Sequence, residues 1–515
     1  MTRPQPLTAR DPLHNELHLA AWGAVLASRL AGLALTMVAF LLRVTRLDGQ
    51  SLWRDEVDVI SLANHPLPQL ARSLVRAGHN GPFFYLLMQS WLRLAGDSEF
   101  GLRYLALCCG VLAVPLVYWV GRRLMSRRAA ALGAAFVAIS PYLVWYSQDA
   151  KMYALLTALT LLATGCQLEA LATGRLGWWA GFVVAASLSL YVHILAALMI
   201  PVYAGAWLLA RPSNRRARWP GAVALGLLTL PYLPLALWQW PLIMNTYETG
   251  HPFYPLNQVL SLVFNLQARG MAMAGGWAVV AAFVFAMLGG LFSPLAGGSR
   301  RPNTSRWRFL PGPVSPRVFL PLWLFLPVVL VYLVSLRAPV FEPRYLIFVA
   351  PAFYLLTGLG VVALARLSWT AAGLALAVAL SFSLLGVWTQ ATTPIKSDFR
   401  AAAGYVAAQR QGDAPIMFQM PYVRDTFDYY FEGEYAALDG PWTNDGRSEA
   451  QVAAVMAGLL QDYPDVWLVS SESWLWDARG LARAWLDGHA RLVESASFTL
   501  VDVYHYEMSD LNSSN

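Results

Sequence analysis

Charged residues are scarce in this chain. Asp, Glu, Lys and Arg make up only 13% of its 515 residues, whereas 57% are hydrophobic, and the mean hydropathy is +0.46. Apolar stretches of about 20 residues, enough to cross about 30 Å of hydrocarbon, recur along the first three quarters. This pattern excludes a soluble globular protein and predicts a polytopic membrane protein. The net charge of +7 does not point to a nucleic-acid partner. The basic residues lie mainly in short loops between apolar segments, where they indicate which loops are cytoplasmic.

Cysteine is also rare, and common catalytic signatures are missing. Cys108, Cys109 and Cys166 lie inside apolar segments without metal-ligand spacing, so we expect small hydrophobic side chains and no disulfide. The N-terminal stretch "MTRPQPLTARDPLHNELH" lacks an apolar core with a cleavage site, which predicts a cytoplasmic tail and no signal peptide. After residue 392 we find no Gly-rich phosphate loop, metal spacing or nucleophile motif.

The apolar stretches and basic loops together predict a topology. Three strongly basic connections, 122–128, 211–218 and 299–308, all fall on the cytoplasmic side with the N-terminus when about eleven helices cross the membrane. The stretch 80–96 is apolar but short, with Arg93 near its end, and we expect it to lie in the interface. The eleven candidate spans are residues 22–45, 101–121, 129–147, 153–171, 177–193, 195–211, 220–240, 271–293, 317–336, 345–366 and 369–389.

The composition changes after residue 392. Amphipathic helical stretches there alternate with short β-rich runs, which is typical of a small α/β domain. We therefore predict a transmembrane domain over 1–392, with a first outer loop at 46–100, and an extracytoplasmic α/β domain over 393–515.

The predicted topology gathers the unusual charges on the outer face. The stretch "SLWRDEVDVI" carries Asp55 and Glu56 directly after the first span, and Trp53 holds the pair against the membrane surface. A partly desolvated carboxylate there gains basicity unless a cation compensates, as a general base in group transfer requires. A solvated acidic pair is the simpler alternative, and Asp58 is interpreted as ordinary loop charge.

Other outer segments carry ionisable residues for which the sequence allows both a structural and a functional role. The short loop "SQDAKMY" holds Asp149, Lys151 and Tyr153, which form either a helix-end ion pair or a site facing Asp55 with Lys151 on an anionic headgroup. The segment "FEPRY" holds Glu342 and Arg344, where Arg344 either anchors a helix or clamps a phosphate. Isolated histidines such as His79 and His193 are more often structural, but His193 lies at an outer helix end with no other ionisable group in its span. Six residues are candidates for substrate binding: Trp53, His79, Asn80, Tyr153, His193 and Glu342.

In this order, the quoted segments resemble a known family. "LRVTRLDGQSLWRDEVDVI", then "HNGPFFYLLMQSWLRLAGDSEFGLRYLALCCG", "SPYLVWYSQDAKMYALL" and "PRYLIFVAPAFYLL" are similar to bacterial family-39-type glycosyltransferases. These are polytopic GT-C enzymes related to the protein O-mannosyltransferases and the aminoarabinose transferase of lipid A. The resemblance covers roughly residues 25–390 and extends loosely through "SDFRAAAGYV".

The resemblance implies a transferase that takes a sugar from a polyprenyl-phosphate donor at the outer membrane face. It implies Asp55 as the base, Glu56 as its neighbour and Asp149 as the second-loop acid. Lys151 stands where the family commonly has Arg, and Arg344 and Tyr345 match a pair expected to meet the lipid phosphate. "HNGPFF" departs from the two-proline sequence of close relatives, so His79 and Asn80 are expected to affect how donor or acceptor is handled.

Two other function classes stay open from the sequence. A flippase or transporter for lipid-linked sugars would carry ionisable residues midway along its spans, whereas the acids here gather on one face. A membrane-anchored binding protein would act through residues 393–515. The sequence also leaves open a divalent cation, Mg²⁺ or Mn²⁺, near Asp55 and Asp149, and an acceptor that is lipid, protein or polysaccharide.

Overall fold

The computed structural model describes residues 29–73, 81–210, 215–238, 252–273, 275–292 and 313–508. Several predictions concern residues beyond these ranges. His79, Asn80, the N-terminal tail, the basic loop 299–308 and parts of the loops 211–218 and 241–270 lie outside the described residues.

Each of the eleven predicted apolar stretches contains helix in the described ranges. Because proline and short breaks interrupt some of them, one stretch can hold two helices. The helices are α1 (29–44), α5 (Glu99–Leu124), α6 (Arg127–Ile139), α7 (Pro141–Ser147), α8 (Tyr153–Thr173), α9 (Leu176–Val192), α10 (Met199–Leu209), α11 (Arg215–Leu227), α12 (Thr229–Trp238), α13 (Leu256–Arg269), α14 (Gly276–Phe292), α15 (Pro316–Ser335), α16 (Ala350–Leu367) and α17 (Trp369–Thr392).

Within those ranges, six helical segments are long and apolar enough to cross a membrane, and a seventh is if the bent pair α6–α7 is one span. The predicted number of eleven crossings stays a prediction. The bend of 54° follows from Ser140 and Pro141. Proline cannot donate the next helical hydrogen bond, and the Ser140 hydroxyl accepts from the Leu143 N–H at 3.1 Å to start a new helix.

Helix α16 lies at the centre of the bundle, nearly all of it buried. Two of its glycines allow close helix packing. The backbone at Gly358 approaches Gly133 of α6, and the backbone at Gly360 approaches Ala286 of α14 so closely that a Cβ atom would overlap the Ala286 carbonyl. Small residues permit such contact between apolar helices, where no hydrophobic effect drives association.

The first outer loop forms three short helices, α2 (Arg54–Asn64), α3 (Leu67–Ser73) and α4 (Pro82–Ala95). Helix α4 corresponds to the predicted interfacial stretch 80–96. It buries Phe84, Tyr85 and Met88 at the spacing that puts them on one face and packs against α2 and α9.

Residues after 392 form a five-stranded sheet with strand order β2-β1-β3-β5-β4. Strands β1, β2 and β3 are parallel, and β5 runs antiparallel between β3 and β4. The alternation of helix and strand is as predicted, whereas the domain boundary at 392 stays a prediction. The elements are α18 (Phe399–Gln409), β1 (Ile416–Phe418), α19 (Arg424–Asp428), β2 (Ala437–Asp439), α20 (Glu449–Leu460), β3 (Asp465–Ser470), α21 (Leu481–His489), β4 (Ala490–Phe498) and β5 (Val501–Met508).

Both faces of the sheet are covered. Ile416 and Phe418 of β1 pack with α18 and α19 in one apolar cluster, whereas Met417 faces the other way and packs with α20 and α21. This is the period of two that strand geometry imposes. The sheet therefore has a core of its own on each side.

Candidate active site

The site begins at the first turn of α2. Trp53 is the residue before the helix, and Asp55 and Glu56 lie in its first turn, where carboxylates favour the positive end of the helix dipole. Successive residues on a helix point about 100° apart, at 3.6 residues per turn. The two acids consequently meet different partners, and we describe them separately.

Glu56 is fully buried and bound on both oxygens. Its Oε1 accepts from Arg103 Nε at 2.7 Å and from the Ala150 N–H at 2.9 Å. Its Oε2 accepts from Arg103 Nη2 at 2.7 Å and from Lys396 Nζ at 2.8 Å. Burial by itself raises the pKa of Glu56, but the charges of Arg103 and Lys396 outweigh burial and lower that pKa to about 2. Glu56 is thus a buried anion that joins three segments.

Asp149 lies between α7 and α8 and is also fully buried. Its Oδ1 accepts from Trp53 Nε1 at 3.0 Å and from Lys396 Nζ at 3.3 Å, while its Oδ2 has no hydrogen-bond partner among the described residues. Burial and the charge of Glu56 raise the pKa of Asp149 despite the ammonium of Lys396.

Asp55 is the only one of the three acids with solvent exposure. Its Oδ2 accepts from Arg344 Nη1 at 2.9 Å, and each of the two side chains is 19% exposed. Glu342 lies 3.7 Å from Arg344 Nε, and the Trp53 ring is stacked under the guanidinium at 5.5 Å. Burial raises the pKa of Asp55, but the charges of Lys151 and Arg344 outweigh it and hold that pKa below its ordinary value.

Lys151 brings a second cation toward Asp55. Its ammonium makes no hydrogen bond or ion pair with any residue in the described ranges. Burial lowers the pKa of Lys151, but several acidic groups around it, Asp55 first among them, together outweigh burial and raise that pKa, so Lys151 is protonated at neutral pH. Lys151 and Lys396 are the only two lysines in the whole sequence, and both lie in this site.

Aromatic side chains form one wall of the site. The His193 ring lies 5.1 Å from the Tyr345 ring and 6.5 Å from the Tyr153 ring. His193 is buried, and its Nδ1 accepts from the Leu195 N–H at 3.2 Å, which caps the short helix Ile194–Leu198. The backbone at Gly81 lies against the carbonyl of Val192 with φ of 90°, and this close approach requires glycine.

The structure brings together ten of the twelve residues that the sequence singled out. Trp53, Asp55, Glu56, Asp149, Lys151, Tyr153, His193, Glu342, Arg344 and Tyr345 lie around one site, while His79 and Asn80 are outside the described residues.

Sequence reasoning missed Arg103 and Lys396. Arg103 sits in the first turns of an apolar span, and Lys396 precedes a helix that reads as part of the C-terminal region. The rarity of lysine is the signal that could have found Lys396. In the described part of the chain, no group of three or more His, Cys, Asp or Glu side chains is arranged to hold a metal ion.

Comparisons with known proteins agree with this architecture. The profile of the family described as dolichyl-phosphate-mannose-protein mannosyltransferase matches residues 79–238. No curated protein sequence matches this chain. Twenty-nine solved chains match its structure.

Three of these solved structures show how similar the folds are. ArnT from Cupriavidus metallidurans bound to undecaprenyl phosphate aligns with a TM-score of 0.54 at 14% identity, over 92% of this chain and 97% of that one. The oligosaccharyltransferase AglB from Archaeoglobus fulgidus, in complex with an inhibitory peptide and a dolichol-phosphate, gives 0.52 at 13% over 93% and 74%. The arabinofuranosyltransferase AftD from Mycobacteria gives 0.50 at 18% over 94% and 42%.

The family match and these neighbours confirm the predicted resemblance to the GT-C group and indicate a glycosyltransferase. Together with the apolar helices, they indicate a multi-pass membrane protein.

Proposed function

We propose that this chain, which has the fold of the GT-C glycosyltransferases, transfers a sugar from a polyprenyl-phosphate donor to an acceptor at the extracytoplasmic face of the membrane. The donor class is suggested by ArnT, which is bound to undecaprenyl phosphate, and by AglB, which is in complex with a dolichol-phosphate. The outward orientation rests on the positive-inside argument from the basic loops.

The observation that carries the proposal is the arrangement around Asp55. One partly exposed carboxylate faces two cations, Arg344 at 2.9 Å and Lys151, whose ammonium has no hydrogen-bond partner in the described part of the chain. A guanidinium binds phosphate oxygens through its planar fork, and an ammonium adds a compact charge. A lipid phosphate that enters from the membrane interface would meet both cations beside a base.

The proposed reaction is a single displacement with inversion. Asp55 accepts the proton of an acceptor O–H or N–H while the acceptor atom forms a bond to the anomeric carbon. The bond between that carbon and the phosphate oxygen breaks, and its electron pair leaves with the polyprenyl phosphate. Lys151 and Arg344 stabilise the charge that develops on the leaving oxygen.

Donor binding would also activate the base. In the empty site, Arg344 and Lys151 keep the pKa of Asp55 low, which makes its carboxylate a weak base. A phosphate anion that shares those two cations partly neutralises them, so the pKa of Asp55 rises toward a useful value. The acid would thus gain basicity when the donor is present.

Glu56 and Asp149 support this geometry in our proposal. Glu56 has no exposed atom, so we assign it to positioning α2 and leave proton transfer to Asp55. Asp149 holds the Trp53 indole, and that ring lies under Arg344. Tyr153, His193, Glu342 and Tyr345 form the wall that would enclose the sugar-phosphate.

The test compares Asp55→Asn with Asp58→Asn. Both substitutions remove one carboxylate from α2, but Asp58 makes no hydrogen bond with the described residues and acts on Asp55 and Lys151 through its charge alone. We expect Asp55→Asn to slow sugar transfer by about 10²–10⁴-fold, the usual effect of losing a general base. Asp58→Asn should slow it less than about tenfold on the same scale.

The measurement is mass spectrometry of polyprenyl-linked sugars in membranes that lack the chain and are complemented with each variant. The lipid that accumulates without the protein identifies the donor. Wild-type protein and Asp58→Asn should clear this lipid, and Asp55→Asn should leave it in place. Clearance by Asp55→Asn at the wild-type rate would refute the assignment of the base.

A further inference from the structure

The ammonium of Lys396 lies among three oxygen atoms from the two acidic segments. It is 2.8 Å from Glu56 Oε2, 3.3 Å from Asp149 Oδ1 and 3.4 Å from the Gln148 carbonyl oxygen. The Trp145 and Trp53 rings flank it at 5.5 and 6.0 Å. The side chain of Lys396 is only 5% exposed. Oxygen atoms arranged in this way are what Mg²⁺ and Mn²⁺ select as ligands.

The backbone around Lys396 is fixed to the first outer loop. The Gln50 Oε1 accepts from the N–H groups of Ile395 and Lys396 at 2.8 and 2.9 Å. The Ser51 hydroxyl donates to the Ser397 carbonyl at 2.6 Å. Because three hydrogen bonds hold this short connection in place, the Lys396 side chain enters the site from a defined anchor.

A divalent cation does not fit the same place in this chain. The lone pairs of Glu56 are engaged by Arg103, Lys396 and a backbone N–H, and Asp149 Oδ1 is engaged by Trp53 and Lys396. Of the four carboxylate oxygens, only Asp149 Oδ2 makes no hydrogen bond with the described residues. The two carboxylates are already balanced by two buried cations, Arg103 and Lys396. Adding a metal ion would place unpaired positive charge in a buried site, which is costly.

We propose that the Lys396 ammonium is a built-in cation that occupies the position of a divalent metal between the two acidic segments. It holds Glu56 and Asp149 in place and makes the site independent of Mg²⁺ and Mn²⁺. The choice of residue agrees with this role. The chain uses arginine almost everywhere for positive charge, but only lysine ends in a compact group the size of a coordinated ion.

The first test measures Mn²⁺ binding to the full-length protein in detergent by electron paramagnetic resonance. It needs no transfer reaction, so its failure would be distinct from failure of the proposed function. Wild-type protein and the Asp149→Asn variant should bind the same amount of Mn²⁺, because Asp149 holds no metal ion in the wild type. Lys396→Ala should open the three-oxygen site and bind Mn²⁺ at least about tenfold more tightly than wild type, because two buried carboxylates then share one cation.

Two variants serve as matched controls. Lys151→Ala removes the other lysine but leaves the three oxygens covered by Lys396, so it should gain no Mn²⁺ site. Adding Asp149→Asn to Lys396→Ala should abolish the gained site. Circular dichroism and size-exclusion chromatography establish that each variant is folded.

Two results would overturn the proposal. One is wild-type protein that binds Mn²⁺ stoichiometrically and loses it on Asp149→Asn, a measurement that holds even if Lys396→Ala does not fold. The other is a folded Lys396→Ala variant that binds Mn²⁺ no better than wild type. As a second readout, sugar transfer by wild-type membranes should be unchanged after treatment with EDTA. Inhibition by EDTA that added Mg²⁺ or Mn²⁺ reverses would contradict the proposal.

Discussion

At the scale of single residues, the site depends on how three carboxylates divide their partners. Glu56 binds two buried cations, Arg103 and Lys396. Asp149 binds the same Lys396 ammonium, and Asp55 contacts solvent and Arg344. The acid with the fewest buried partners is therefore the one available to a substrate. Neighbouring positions on one helix thus acquire different chemical properties because only one of them points into the protein.

Glu56→Gln should destabilise the folded protein, because it leaves Arg103 and Lys396 buried without their shared anion. In the folded chain, the charges of Arg103 and Lys396 outweigh burial and lower the pKa of Glu56 from its ordinary value of 4.5 to about 2. Removing one partner of a buried ion pair typically lowers the free energy of unfolding by about 3–5 kcal/mol. Thermal unfolding in detergent measures the loss, and Glu432→Gln, at an exposed glutamate, should change stability by less than about 0.5 kcal/mol.

The pH dependence of this loss has a definite sign. Because the folded pKa of Glu56 is depressed, its contribution is fully present above about pH 5 and is lost as pH falls toward 2. The stability difference between wild type and Glu56→Gln should be constant from about pH 5 to 8 and should narrow below about pH 4. A difference that grew as the solution became more acidic would contradict the assignment.

At the scale of elements, glycines set the spacing of the central helices. Gly360 on α16 lies against the Ala286 carbonyl of α14, and Gly373 on α17 faces open space. Both are helical glycines in apolar helices. They differ in whether a methyl group can be accommodated, which makes them a matched pair.

Gly360→Ala should lower stability by about 1–3 kcal/mol, because the added methyl group forces α14 and α16 apart. Gly373→Ala should be neutral or stabilising by up to about 1 kcal/mol, since alanine favours helix. Thermal unfolding of the two variants side by side measures both effects. Equal stability of the two variants would show that α14 and α16 are not in close contact.

At the scale of the whole molecule, the C-terminal sheet is joined to helix α2. Arg54 on α2 and Glu472, in the loop after β3, form an ion pair at 3.1 Å. Glu472 has a left-handed backbone with φ of 50°, which costs about 1–2 kcal/mol for a residue with a side chain. The sheet therefore presents this carboxylate to the residue next to Asp55 despite backbone strain.

Reversing these charges one at a time should weaken the contact between the C-terminal sheet and helix α2. Arg54→Glu and Glu472→Arg each place like charges together, whereas the double variant restores an opposite pair. We expect a coupling energy of about 0.5–3 kcal/mol, the range for residues in contact. Thermal unfolding and limited proteolysis of residues 393–508 measure it, and strictly additive effects would mean that the pair does not join the two parts.

The residues that could be predicted are those close to recognisable segments. Asp55, Asp149 and Arg344 each follow or precede an apolar helix, so topology alone gathered them on one face. Lys396 could not be found in this way, because its partner Asp149 is 247 residues away and its own segment gives no membrane signal. The helices were predicted well, but the breaks at Ser140 and Leu228 depend on local hydrogen bonding that hydropathy does not describe.

The confinement of both lysines to one site has a practical consequence. An endoprotease that cuts only after lysine has two cleavage points in this chain, after Lys151 and after Lys396. Because the Lys396 side chain is buried and the Lys151 side chain is partly buried, the native protein should resist that protease while arginine-directed enzymes still cut exposed loops. Fragments with ends at 151 or 396 would then report opening of the site, without any label or substrate.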